Sequence, residues 1–127
     1  MVFTEILKDV SSKIEGCIGL VVMGMDGIPI DRYIPEAPPP QGSDGPPNFD
    51  MLATESTTLL RATRQASEEV SAGPLRELIF MTDQVVVLSV SITEEYVLFG
   101  AIKSGTNYGK ARFLMKRAAL ALEKEFL

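Results

Sequence analysis

A proline inside a strand is the feature that most narrows what this chain can fold into. The stretch VVMGMDGIPI, residues 21–30, sets Asp26-Gly27 between two apolar runs and places Pro29 in the second. Asp-Gly supplies the positive φ angles that a type I′ turn requires, so CIGLVVM (17–23) is expected to double back antiparallel into a strand from Ile28 to Ile34. Proline has no N–H to give to a neighbouring strand, so it is tolerated where one side of its strand faces water. The returning strand is therefore expected at a rim of its sheet, where Pro29 also blunts stray pairing.

The rest of the chain fills in around that hairpin. Before it, Phe3, Ile6, Leu7, Val10 and Ile14 recur at steps of three and four, with polar residues between them, which predicts an amphipathic helix ending near Gly16. The run 17–23 has no polar alternation, as in a strand covered on both faces. After the hairpin, PEAPPPQGSDGPPN (35–48) holds six of the eight prolines and reads as a flexible connector of polyproline character. The same composition would suit an SH3-type partner, the plainer reading being a mobile insertion. A long helix then runs to about Ser71, capped by Asn48 or Asp50. Leu52, Leu59, Thr63, Ala66 and Val70 form its apolar-to-small stripe, widened by Ala53 and Leu60, with Glu55, Arg61, Arg64, Glu68 and Glu69 opposite. Gly73-Pro74 ends it.

Three short strands follow, at 77–82, 85–90 and 96–102, and connections this brief force an antiparallel meander. Tyr108, Ala111, Met115, Ala118, Leu122 and Phe126 then line a C-terminal helix, with Leu114 and Ala121 alongside. Lys110, Arg112, Lys116, Arg117, Glu123 and Lys124 read as its solvated face. The expected fold class is α/β in the α+β sense, in the order α-β-β-α-β-β-β-α. Its five-stranded antiparallel sheet has strand order 2-1-5-4-3, with helices on both faces because its apolar central strands want cover on both sides. That order leaves the strand at 77–82 as the second rim. Leu78, Ile79, Phe80 and Met81 make this rim apolar, and no proline stops pairing there. One sealed rim and one open rim suit an association that forms once and then stops.

Composition bears on function mainly by exclusion. A net charge of −5 is wrong for a nucleic-acid binder, whose affinity comes from cationic contacts to phosphate. It also disfavours anionic membrane surfaces. The N-terminal MVFTEILKDV is charged where a signal peptide would be apolar, and no run is long enough to span a bilayer, so a cytoplasmic protein is expected. Histidine is absent, which removes the commonest general base and metal ligand together. The single Cys17 can form no intrachain disulfide and reads as a small buried side chain. Glu68-Glu69 and Glu94-Glu95 are adjacent pairs on exposed ground, without the shared pocket that paired acid-base carboxylates need. Ser104 to Asn107 precede a helix and can hold an anion, but capping explains the same residues. No catalytic residue, cofactor or metal is expected. A small-molecule sensor of PAS or profilin-like architecture remains the alternative, although such a sensor needs a few convergent polar groups in a cavity.

Gly16-Cys17-Ile18-Gly19-Leu20 leading to Asp26-Gly27, within the helix–hairpin–long helix–meander–helix order, resembles the Roadblock family, related to dynein light chains. The resemblance covers nearly all of residues 1–127 and implies one Roadblock-like domain with the proline-rich loop inserted at 35–48. It implies a non-enzymatic dimeric adaptor that binds and regulates a small Ras-like GTPase, as a GTPase-activating partner in some bacterial members, or serves a motor or signalling complex. Family dimers join through the strand corresponding to 77–82 and the helix corresponding to 50–71. This places Leu78, Ile79, Phe80, Met81, Leu52, Leu59 and Thr63 in an expected homodimer interface. Arg61 and Arg64 are the candidate partner-binding residues, since an arginine supplied in trans can stabilise charge in phosphoryl transfer. A surface arginine on an amphipathic helix is also common solvated charge.

Overall fold

In the computed structural model, which describes residues 2–35 and 48–126, helix α1 (Val2–Lys13) leads into the hairpin β1 (Cys17–Gly24) and β2 (Pro29–Tyr33). Then come α2 (Phe49–Glu69), the meander β3 (Glu77–Met81), β4 (Val85–Ser91) and β5 (Tyr96–Lys103), and α3 (Tyr108–Glu125). Apart from Pro35 and Asn48, the connector expected at 35–48 lies outside the described residues. The five strands form one antiparallel sheet in the order β2-β1-β5-β4-β3, as the apolar runs and the proline require. Pro29 does lie at a rim.

The sheet separates two apolar layers. Leu20 and Val22 of β1, Val86, Leu88 and Val90 of β4, and Leu98 and Ile102 of β5 face one side. There they meet Leu7, Val10 and Ile14 of α1 and Met115, Ala118 and Leu122 of α3. The alternate residues Val21, Met23, Val85, Val87, Val97 and Phe99 face α2. This two-sided burial is why β1, β4 and β5 read as continuous apolar runs. Both long helices start at an asparagine cap: the side chain of Asn48 accepts from the Met51 N–H, and that of Asn107 from the Lys110 N–H, each at 3.1 Å.

Two local expectations need correction. The turn is not type I′, because Asp26 does not take a positive φ; only Gly27 does, at +89°. The Gly27 N–H bonds the Gly24 carbonyl at 2.9 Å, and the Gly24 N–H bonds the Ile28 carbonyl at 2.9 Å, closing a three-residue loop around Asp26. The Asp26 carboxylate accepts from the Ile28 N–H at 3.0 Å, the local side-chain bond that favours aspartate in turns.

The second correction concerns α2. Its core face is Phe49, Ala53, Ser56, Thr57 and Leu60, not the stripe through Leu52 and Leu59. At 100° per residue the two faces lie about 90° apart. Two details allow the observed choice. Gly19 leaves room for Phe49, whose ring would sit 3.1 Å from any Cβ there, so the ring lies on the sheet beside Phe99. The Thr57 hydroxyl donates to the Ala53 carbonyl at 2.9 Å and so enters the core already satisfied.

Candidate protein-interaction surface

The two rims of the sheet are built differently. β2 pairs with β1 through Leu20–Tyr33, Val21–Arg32 and Val22–Asp31, then slips register so that Met23 faces Pro29. The slip bends the strand, and the proline removes a donor. β2 is also tied to the helices: Arg32 pairs with Asp50 at the start of α2, and the Thr4 hydroxyl of α1 donates to Asp31.

β3 pairs with β4 in unbroken register from Glu77–Val90 to Met81–Val86. Its other edge has no strand partner among the described residues. Leu78 and Phe80 point into the α2 layer and Ile79 into the opposite one, all half-buried, while Met81 is 54% exposed. Glu77 is held from the α3 side by Arg112 at 2.5 Å and Lys116 at 3.7 Å.

The stripe displaced from the core of α2 is open as well. Leu52 and Thr63 are half-buried, and Leu59 and Val70 are 50% and 74% exposed. The Thr63 hydroxyl donates to the Leu59 carbonyl at 2.8 Å, so it presents its methyl without an unmet polar need. The orientation of this stripe follows from its neighbours around the helix. Asp50 and Arg61 occupy one flank and reach β2 and the β1–β2 turn. Leu52, Leu59 and Thr63 occupy the other flank, so they face the β3 side of the sheet. The seven residues expected at the interface thus fall on one side of the molecule, on two elements.

Arg61 and Arg64 are engaged within the chain. The Arg61 guanidinium donates to the Met25 carbonyl at 2.6 Å, in the turn after β1. The Arg64 guanidinium donates to the Glu94 carbonyl at 2.8 Å, in the turn after β4. Together they clamp α2 onto two turns that are themselves joined by a 2.8 Å bond from the Met25 N–H to the Glu95 carbonyl. Each arginine has five N–H donors, so both retain donors beyond these bonds.

Burial pushes the Cys17 thiol up, against the lowering effect of hydrogen bonds with Ser11 and the Gly19 backbone, so it stays protonated at neutral pH and is a poor nucleophile. Glu68, Glu69, Glu94 and Glu95 are all exposed. The Asn107 side chain takes up an N–H at the start of α3, and the Thr106 hydroxyl donates to the Lys103 carbonyl at 2.7 Å. Among the described residues no three His, Cys, Asp or Glu side chains gather as a metal site would need. No helix among them is long and apolar enough to cross a membrane. An open groove of about 1470 Å³ lies between the C-terminal end of α2, the start of β3 and α3, lined among others by Arg64, Leu75, Glu77, Ile92, Phe113 and Leu120.

Sequence reasoning overlooked Phe113 and Leu120. Both are large apolar side chains on the exposed face of α3, and their i, i+7 spacing opposite the core stripe is the signal that could have marked them.

No family model and no curated protein matches the sequence. Solved structures do match it. An MglB with a tetrameric arrangement superimposes with a TM-score of 0.80 at 19% identity, over 97% of this chain and 86% of that one. A Roadblock/LC7 domain from Streptomyces avermitilis gives 0.80 at 11% identity, over 96% and 95% of the two chains. MglC from Myxococcus xanthus gives 0.67 at 25% identity, over 98% and 99%. The strand order, the helix placement and these superpositions agree, and the chain has the Roadblock/LC7 fold.

Proposed function

We propose that the protein is a non-enzymatic adaptor that pairs with a second copy through β3 and the outer flank of α2, and that the pair binds a small Ras-like GTPase. The observation that carries the pairing is the asymmetry of the sheet. β2 is closed by a proline, a register slip and two ties to helices, while β3 has an apolar, regular edge without a strand partner among the described residues, on the side of the sheet that the α2 stripe faces. Antiparallel pairing of β3 with its copy would join two five-stranded sheets into ten strands and satisfy the row of N–H and C=O groups on that edge. Leu52, Leu59 and Thr63 would then pack across the same two-fold axis, and a closed two-fold contact uses each patch once. The tetrameric arrangement of the similar MglB supports self-association.

The GTPase reading rests on the Roadblock resemblance. Within it, Arg61 and Arg64 are proposed to meet the partner with the donors not used on Met25 and Glu94. Because their guanidinium groups are already anchored, they would shape and position a docking face more readily than swing into a nucleotide site.

Two measurements test the two parts separately. Sedimentation velocity at micromolar concentration should show a dimer or a multiple of it, and a monomer would end the β3 pairing proposal. Small GTPases recovered from the native lysate should bind the protein in one nucleotide state and not the other. Binding that ignores the nucleotide, or no GTPase at all, would end the second part and leave the first standing.

A further inference from the structure

A row of side chains on the outer side of α3 takes no part in the pairing and docking proposed above. The core face of this helix is Ala111, Met115, Ala118 and Leu122. On the outer side run Lys110, Phe113, Arg117, Leu120 and Lys124, at steps of three and four, with Phe113 and Leu120 almost opposite the core face. Phe113 is 59% exposed and Leu120 64% exposed. The Arg117 guanidinium lies 5.7 Å above the Phe113 ring, which holds that ring on the surface with a cation over its face. The row contains no acid. The neighbouring cations Arg112 and Lys116 are taken up by Glu77, whereas Lys110, Arg117 and Lys124 have no ion pair among the described residues.

We propose that this stripe of α3 docks an acidic amphipathic helix from another protein. Two large apolar side chains one heptad apart, about 10 Å along the axis, are the anchors that a partner helix engages with its own i, i+3/i+4, i+7 residues. Three cations alternating with those anchors over about 21 Å select a helix whose apolar stripe is bordered by Asp or Glu. Charge separates this occupant from the others. A second copy laid along the same stripe would set Lys110, Arg117 and Lys124 against like charges. An anionic membrane would meet only two large apolar groups, on a chain whose net charge of −5 opposes the approach. This docking goes beyond the pairing proposed above, because α3 covers the opposite face of the sheet from α2.

The test replaces Phe113 in the full chain with the photo-cross-linker p-benzoylphenylalanine, irradiates it in the native lysate and sequences the adduct by mass spectrometry. The expected adduct is a protein segment with apolar residues at helical spacing and a net negative charge. Its yield should fall by about tenfold or more when the same chain also carries Arg117→Glu and Leu120→Ser. Both of these positions are exposed, so that double variant should keep the thermal midpoint and sedimentation of the parent chain. Adducts only to phospholipid, to another copy of this chain or to a segment without acidic character would overturn the proposal. So would the absence of an adduct, or a yield that the double variant leaves unchanged.

Discussion

β2 and β3 end the sheet at opposite sides, yet the one that is sealed is not the less apolar. The β2 rim exposes Ile28, Ile30 and Ile34, whereas β3 exposes Met81 and half-buries Leu78, Ile79 and Phe80. The difference lies in the backbone. β2 has a residue without an N–H and a register slip opposite Met23, so it cannot offer a regular ladder to another strand. β3 keeps one register along its whole length and can. Apolar side chains at a rim are therefore not enough for strand addition, which also needs a continuous row of free donors and acceptors beside them.

The contrast can be broken most severely at the centre of β3. Ile79→Lys would place an unpaired charge in the proposed dry contact, and the self-association measured by sedimentation equilibrium should weaken by about 3 kcal/mol or more. Because Ile79 also touches the α1–α3 layer, Leu59→Lys is the cleaner companion. Half of Leu59 faces solvent, so this change should cost association about 1–2 kcal/mol and leave monomer unfolding by denaturant nearly unmoved. An intact dimer in Leu59→Lys would remove α2 from the interface while sparing β3.

Arg61→Ala sharpens the comparison from the closed side. It deletes the bond to the Met25 carbonyl and should lower the urea midpoint by the equivalent of about 1 kcal/mol, with self-association unchanged. A loss of GTPase binding in that variant beyond what its stability explains would favour the docking role proposed for the arginine. The smallest effect belongs to Ile30→Lys on β2. Stability should stay within about 0.5 kcal/mol and the sedimentation profile should match the parent. If this variant dissociates the protein, the β2 rim is in use after all and the contrast between the rims fails.

Much of this fold was legible along the chain because its signals are local. The largely apolar runs at 17–23, 85–90 and 96–102 announced strands covered on both faces, and Pro29 announced a rim. Asn48 or Asp50, and Asn107, announced helix starts, since a cap needs only the next three residues, and the structure uses the two asparagines. The short links of the meander left β3 at the other end of the sheet.

Tertiary contact decided what no local window holds. Which flank of α2 enters the core depends on Gly19 receiving Phe49 and on a threonine that satisfies itself inside the helix, so Thr57 went in while Leu59 stayed out. The bonds of Arg61 and Arg64 reach carbonyls 36 and 30 residues away in sequence. The salt bridges of Arg112 and Lys116 with Glu77 likewise join elements far apart in the chain, and they separate a neutralised flank of α3 from a free one. Periodicity fixes how residues are spaced around a helix, but the rotation of that helix against a sheet is set by side chains from other elements, and these meet only once the chain has folded.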